Sequence, residues 1–186
     1  MNASDGALVE EFRKGDLSAF DQLVKHYDKR VFSYIYRMIG DYHESEDVFQ
    51  DVMAKLYFSM ETFRGRSSFS TWLFSIARNQ CLDKLRKRKM RSFISYFVPE
   101  FLLNFTSRSG KSPDAVVLDN DARRAVLEAV DTLPETQKEV VILKYGCGFT
   151  FGEISSITGI PESTARSRML YALTKLRGHL KAAEGW

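Results

Sequence analysis

The segment from Phe149 to Leu180 constrains this chain most, because it reads as two helices joined by a turn that glycine makes easily and bulky residues do not. Ile154 and Ile157 mark the buried side of a first helix over 150–158. Gly159 sits where the backbone must reverse, Ile160 can plug the gap between the helices, and Pro161 presets φ for a new helix start. Over 162–181, Ala165, Met169, Ala172, Leu173, Leu176 and Leu180 recur at spacings of three and four, which makes one face core. The outer face carries Glu162, Ser163, Arg166 and Ser167 near its start, side chains with the reach and polarity to meet base edges in a major groove. Arg166, Arg168, Lys175, Arg177 and Lys181 face a single acid, Glu162, as suits a helix that lies between phosphates. An ordinary hairpin with solvated charges has the same periodicity, so the rest of the chain must separate the two.

Elsewhere the apolar pattern is helical: helices are predicted over 7–15, 18–39, 44–61, 70–90, 119–131 and 135–145, with no competing strand alternation. Gly40 stops one helix, and Asp41, three residues before Glu44, resembles the start of a capping box for the next. The expected fold is all-α, with two small helical domains over 1–91 and 119–186 joined by a linker over 92–118. Within it, 106–114 is linker-like in composition, whereas 93–105 is strongly apolar and must pack against a domain or a partner.

A hydrophobic content of 44% in 186 residues is enough to bury such cores. No apolar stretch reaches bilayer length, and the polar start Met1–Gly6 lacks a signal-peptide pattern, so no membrane insertion and a cytoplasmic location are expected. Cys81 and Cys147 lack the paired spacing of a zinc or redox motif, and neither a metal nor a cofactor is expected. A net charge of +3 is too small for a generally basic surface to drive nucleic-acid binding. The distribution of charge is more informative: 41–51 is acidic, whereas 84–91 holds Lys84, Arg86, Lys87, Arg88, Lys89 and Arg91.

In the acidic helix, Asp47, Gln50 and Asp51 share a face opposite Val48, Phe49, Val52 and Leu56. No histidine or nucleophile accompanies them, which argues against catalysis and leaves a solvated face or a surface for a basic partner. From Phe63 to Lys89 aromatic and basic residues interleave. Leu73, Ala77, Cys81 and Leu85 form a core stripe to which Trp72 belongs by default. The Ser- and Arg-rich loop before it, with Asn79 and the basic end behind, could hold an unstacked base by hydrogen bonds while cations hold the backbone.

Taken in order, Lys14-Gly-Asp, Ala19-Phe, Glu46-Asp-Val-Phe-Gln-Asp-Val52, Phe63-Arg-Gly, Phe69-Ser-Thr-Trp-Leu73, Ala77-Arg-Asn79, Leu133-Pro, Glu153-Ile and Thr164-Ala-Arg-Ser-Arg168 resemble the extracytoplasmic-function (ECF) sigma factors of the sigma-70 family. The resemblance covers nearly the whole chain. It implies a non-enzymatic initiation subunit of bacterial RNA polymerase with a sigma domain 2 and a helix-turn-helix sigma domain 4. Its implied partners are promoter DNA, core polymerase through the largest-subunit clamp helices and the flap, and an anti-sigma factor. By that resemblance Asp47, Gln50 and Asp51 dock on the polymerase. Phe63, Arg64, Arg66, Ser67, Ser68, Phe69 and Asn79 would capture a flipped minus-ten base, with Lys84, Arg86, Lys87 and Arg88 on phosphates. Glu162, Ser163, Thr164, Arg166 and Ser167 would read the minus-thirty-five element, with Arg168 and Lys175 touching backbone. Three positions depart from the family pattern: Tyr171 replaces a second basic residue, Ala165 a Val, and Met53 a Phe. A stand-alone helix-turn-helix regulator would need only the C-terminal half, and a metal-dependent nuclease would need a carboxylate cluster with a base.

Overall fold

The computed structural model describes the backbone of residues 3–97 and 121–184, and side chains within 5–90 and 125–179. Among these residues all regular structure is helical. The helices are α1 (Ala3–Arg13), α2 (Leu17–Ile39), α3 (Tyr42–Ser59), α4 (Phe69–Phe97), α5 (Asp121–Asp131), α6 (Glu135–Val141), α7 (Phe151–Thr158) and α8 (Glu162–Glu184). A 3-10 turn follows α3 at Met60–Thr62, and a π turn follows α6 at Ile142–Gly146. The chain divides into two compact units, Met1–Ser112 and Pro113–Trp186.

In the N-terminal unit α2 is central, with α1, α3 and α4 packed on it. Ala19, Leu23, Tyr27, Val31, Ile35 and Ile39 recur every four residues and are all buried, so α2 presents a continuous apolar stripe. Local chemistry sets its ends. Asp16 accepts from the Ser18 amide at 2.9 Å, and Gly40 (φ 80) takes the left-handed conformation that ends the helix. Asp41 then starts α3 by accepting from the Glu44 amide at 2.9 Å. Helix α4 runs to Phe97, past the predicted end at 90 and into the expected linker. No Gly or Pro interrupts the sequence between Gly65 and Pro99, and Lys, Arg and Met are good helix formers. The apolar stripe gave no guide to that end, since Leu85 is already half-buried where Leu73, Ala77 and Cys81 are enclosed. The apolar segment 93–105 and the stretch 106–114 lie mainly outside the described residues.

Helix α1 is fixed on α2 by a buried polar pair in which the Tyr27 hydroxyl donates to Asp5 Oδ2 at 2.7 Å, both residues being 3% exposed. Burial, and then the hydrogen bond and negative charge of Asp5, push the Tyr27 phenol well above its ordinary range. A phenol raised in the folded state stabilises fully below its unfolded value of about 10, and this contribution is lost as the pH rises beyond it. Tyr27→Phe removes the donor from a buried carboxylate and is expected to cost about 1–3 kcal/mol in urea unfolding at neutral pH. A change within measurement error would show that the pair contributes nothing to stability.

In the C-terminal unit α8 packs along α5, α6 and α7. Thr150 and Glu153 form a complete capping box at α7: Thr150 N donates to Glu153 Oε2 at 2.8 Å, and Glu153 N donates to Thr150 Oγ1 at 3.3 Å. Ser155 Oγ donates to the Ile160 carbonyl at 2.6 Å, which closes the turn over Gly159 (φ 72). Ile154, Ile157, Ala165, Met169, Ala172 and Leu176 are buried as expected. Leu173 is not: it is 41% exposed, because it lies about 100° around the helix from Ala172 and the stripe is narrow. The Leu180 side chain lies outside the described residues.

Candidate nucleic-acid interface

The turn after α3 and the start of α4 form a cavity of about 280 Å³ lined by Thr62, Phe63, Arg64, Arg66, Ser67 and Trp72. Its base is aromatic. Phe63 lies 4.8 Å from Trp72, centroid to centroid, and 5.8 Å from Phe69. Phe63 and Phe69, both expected to meet DNA, are 5% and 0% exposed; Phe63 lines the cavity, and Phe69 packs against Phe63 from within. Burying an aromatic ring is worth about 1.5–3 kcal/mol, a gain that a solvent-facing ring would forgo. Ser68 is likewise engaged, since its hydroxyl accepts from the Thr71 amide at 3.1 Å and caps α4. Arg64, Arg66 and Ser67 are left as the polar wall, with Arg64 and Arg66 exposed. Trp72, assigned to the core by default, is only half-buried and lines the cavity. Asn79 is exposed further along α4 and is not part of the lining.

Sequence reasoning missed Arg13. From α1 it donates to the Phe63 carbonyl, so an element remote in sequence braces the loop. With Gly6, Val9, Glu10, Phe63, Arg64 and Gly65 it lines a second hollow of about 100 Å³ next to the first.

Asp47, Gln50 and Asp51 are all exposed on α3. The basic end of α4 is less free than its composition implies. Lys84 Nζ lies 3.5 Å from Glu44 Oε1 and 3.6 Å from Asp47 Oδ2. Arg88 approaches Glu44 at 3.8 Å and donates to the Ile39 carbonyl at 3.2 Å, while Arg86 pairs with Asp83 at 3.0 Å. The acidic and basic segments therefore partly neutralise each other. Lys84 and Glu44 are half-buried, whereas Asp47, Arg86 and Arg88 are exposed; surface pairs of this kind are worth about 0–1 kcal/mol each and can be exchanged for other partners. Among the described residues no cluster of His, Cys, Asp or Glu could hold a metal ion.

On α8, Glu162, Ser163, Arg166, Ser167 and Lys175 are exposed, whereas Thr164 and Arg168 are half-buried. Glu162 lies in the first turn, where a negative charge complements the helix dipole. Arg166 Nε donates to Glu162 Oε1 at 3.2 Å, and its guanidinium lies 4.7 Å from the centroid of Phe151 on α7. Ser167 Oγ donates back to the Ser163 carbonyl at 3.0 Å. A helix with one face buried on its neighbours and short polar and basic side chains at its free N-terminal end has the shape of a groove reader.

The N-terminal unit matches Sigma-70 region 2 over residues 23–91, and the C-terminal unit matches Sigma-70, region 4 over residues 123–176. The ECF RNA polymerase sigma-E factor of Escherichia coli (strain K12) is 33% identical over 173 residues, covering 91% of this chain and 90% of the relative. The RNA polymerase sigma-H factor of Pseudomonas aeruginosa is 31% identical over 172 residues, covering 90% of this chain and 89% of the relative. The ECF RNA polymerase sigma factor SigW of Bacillus subtilis is 29% identical over 177 residues, covering 93% and 95%. The fold is also that of the sigma factor RpoE from Bartonella quintana, solved with the anti-sigma factor NepR (TM-score 0.74, 24% identity, 89% of this chain and 98% of that one). CnrH, solved with the cytosolic domain of CnrY, shares it too (TM-score 0.71, 21% identity, 97% and 99%). This chain belongs to the sigma-70 family, in its extracytoplasmic-function class. It is a promoter-directed transcription initiation factor, a family without catalytic activity of its own. A stand-alone helix-turn-helix regulator would leave the match over residues 23–91 without a role. No described helix is long and apolar enough to cross a membrane.

Proposed function

We propose that the two units divide promoter recognition between them. Asp47, Gln50 and Asp51 dock on core polymerase. The cavity between α3 and α4 receives a flipped minus-ten base, with Arg64, Arg66 and Ser67 as donors, Asn79 as a further contact, and Arg86 and Lys87 on phosphates. Lys84 and Arg88, held by Glu44 and Asp47 in the free chain, join them on DNA. Glu162, Ser163, Arg166 and Ser167 read the minus-thirty-five element, and Arg168 and Lys175 hold its backbone. The cavity carries this reading: an aromatic base beneath polar and cationic side chains offers stacking and hydrogen bonds together, which an unpaired base needs to recover what it lost. Residence is cytoplasmic, where the polymerase is. Because the two solved relatives are held in complexes, one of them with a named anti-sigma factor, an inhibitor of that kind is expected for this chain as well.

The test is reconstitution with core polymerase on a promoter mapped by transcript starts. Asn79→Ala is expected to leave polymerase binding and minus-thirty-five contact unchanged but to slow open-complex formation. Unpairing costs a few kcal/mol, which a further hydrogen-bonding side chain outside the cavity lining helps offset. Permanganate reactivity of the promoter bubble reports this directly, and a bubble that forms at the wild-type rate would remove Asn79 from the site.

A further inference from the structure

Two cations converge on the ring of Phe151, the first residue of α7. The Arg166 guanidinium carbon lies 4.7 Å from its centroid and Lys144 Nζ lies 5.2 Å away, within the range of about 6 Å in which the negative face of a ring attracts a cation. Arg166 also donates to Glu162 Oε1 through Nε and Nη2. Glu162 itself extends back over α7, where Oε2 lies 3.8 Å from the place a β-carbon on Gly152 would occupy. The side chain that α8 offers to the groove is thus held by the first helix of the motif as well as by its own.

An arginine on an open helix surface samples many rotamers, and freezing it against a base costs entropy. We propose that Phe151 is a positioning residue for base recognition. Its ring and the Glu162 carboxylate hold the Arg166 guanidinium in place before DNA arrives, so part of the ordering cost is met in the free protein. Phe151 touches no base itself. The proposal rests on Arg166 being a base reader. It implies that preference at the base pairs met by Arg166 depends on the π-face of a residue in α7, whereas phosphate contacts such as Lys175 do not.

Holoenzyme reconstituted with each variant is challenged with promoter fragments randomised over the minus-thirty-five element, and the bound fragments are sequenced. Arg166→Ala is expected to lose preference at one or two adjacent positions. Phe151→Leu lowers preference at those same positions about two- to fivefold, and Phe151→Tyr, which keeps the ring, retains it. Pentafluorophenylalanine at 151 preserves ring shape while reversing the charge of its face, and is expected to match Phe151→Leu with packing intact. If Arg166→Ala leaves the preferences untouched, Arg166 does not read bases and the assignment beneath the proposal fails. If Arg166→Ala acts but the fluorinated variant behaves as wild type, or either Phe151 variant weakens all sequences alike, Phe151 only packs and the positioning role is overturned.

Discussion

Replacing Asp47 and Asp51 together by lysine is expected to abolish capture of the chain by core polymerase while leaving its fold intact. Both carboxylates are exposed on α3, away from Val48, Val52 and Leu56, which are buried. Among the described residues the double substitution breaks one ion pair, that of Asp47 with Lys84 at 3.6 Å, and exposed pairs contribute about 0–1 kcal/mol. Reversing charge on a docking surface converts attraction into repulsion, which costs several kcal/mol. At about 1.4 kcal/mol per factor of ten, 3 kcal/mol or more corresponds to a loss of roughly hundredfold or greater. Lysine at Glu11 and Asp21, two exposed acids outside α3, is the matched control and is expected to bind normally. Undiminished competition by the Asp47/Asp51 variant for core polymerase would show that α3 is not the docking surface.

Arg166→Ala and Lys175→Ala separate base reading from phosphate holding within one helix. Arg166 is one turn from Glu162 at the exposed start of α8, with Met169 buried beneath it. A guanidinium there can reach a guanine edge with two parallel hydrogen bonds, so its removal is expected to cost about 1–3 kcal/mol and relax preference at one or two base pairs. In doing so Arg166 keeps its contact with Glu162. Lys175 is more than two turns further along, where a recognition helix has left the groove floor. Its removal is expected to weaken all sequences alike and lower the salt slope by about one unit. Binding of promoter variants across a salt series measures both. Uniform weakening by Arg166→Ala would relocate the reading face.

The helix-turn-helix was legible because two kinds of local signal agree there: Gly159 occupies the left-handed turn, and Ala165, Met169, Ala172 and Leu176 keep a helical stripe. Gly40 and Asp41 were legible for the same reason, since capping is written within four residues. Long-range chemistry was not. Nothing in the spacing of residues announces that Glu44 meets Lys84, that Arg13 reaches the Phe63 carbonyl, or that Arg166 rests on Phe151. Such pairings depend on how helices cross, which periodicity does not encode. In the loop before α4, composition shows which residue types are present but not which way each faces. Phe63 and Phe69 turned inward to bury their rings and Ser68 was drawn into a cap, so the polar wall fell to Arg64, Arg66 and Ser67.

Crosslink mapping on a single promoter tests the division of labour most directly. Holoenzyme carrying a photoreactive side chain at Thr62, on the rim of the cavity, or at Ser163, on the exposed start of α8, is irradiated in the open complex. The crosslinked bases are then sequenced. The account predicts crosslinks from Thr62 to unpaired bases of the minus-ten element and from Ser163 to major-groove positions of the minus-thirty-five element. Crosslinks from Thr62 confined to duplex DNA upstream, or from Ser163 to the melted bubble, would contradict it.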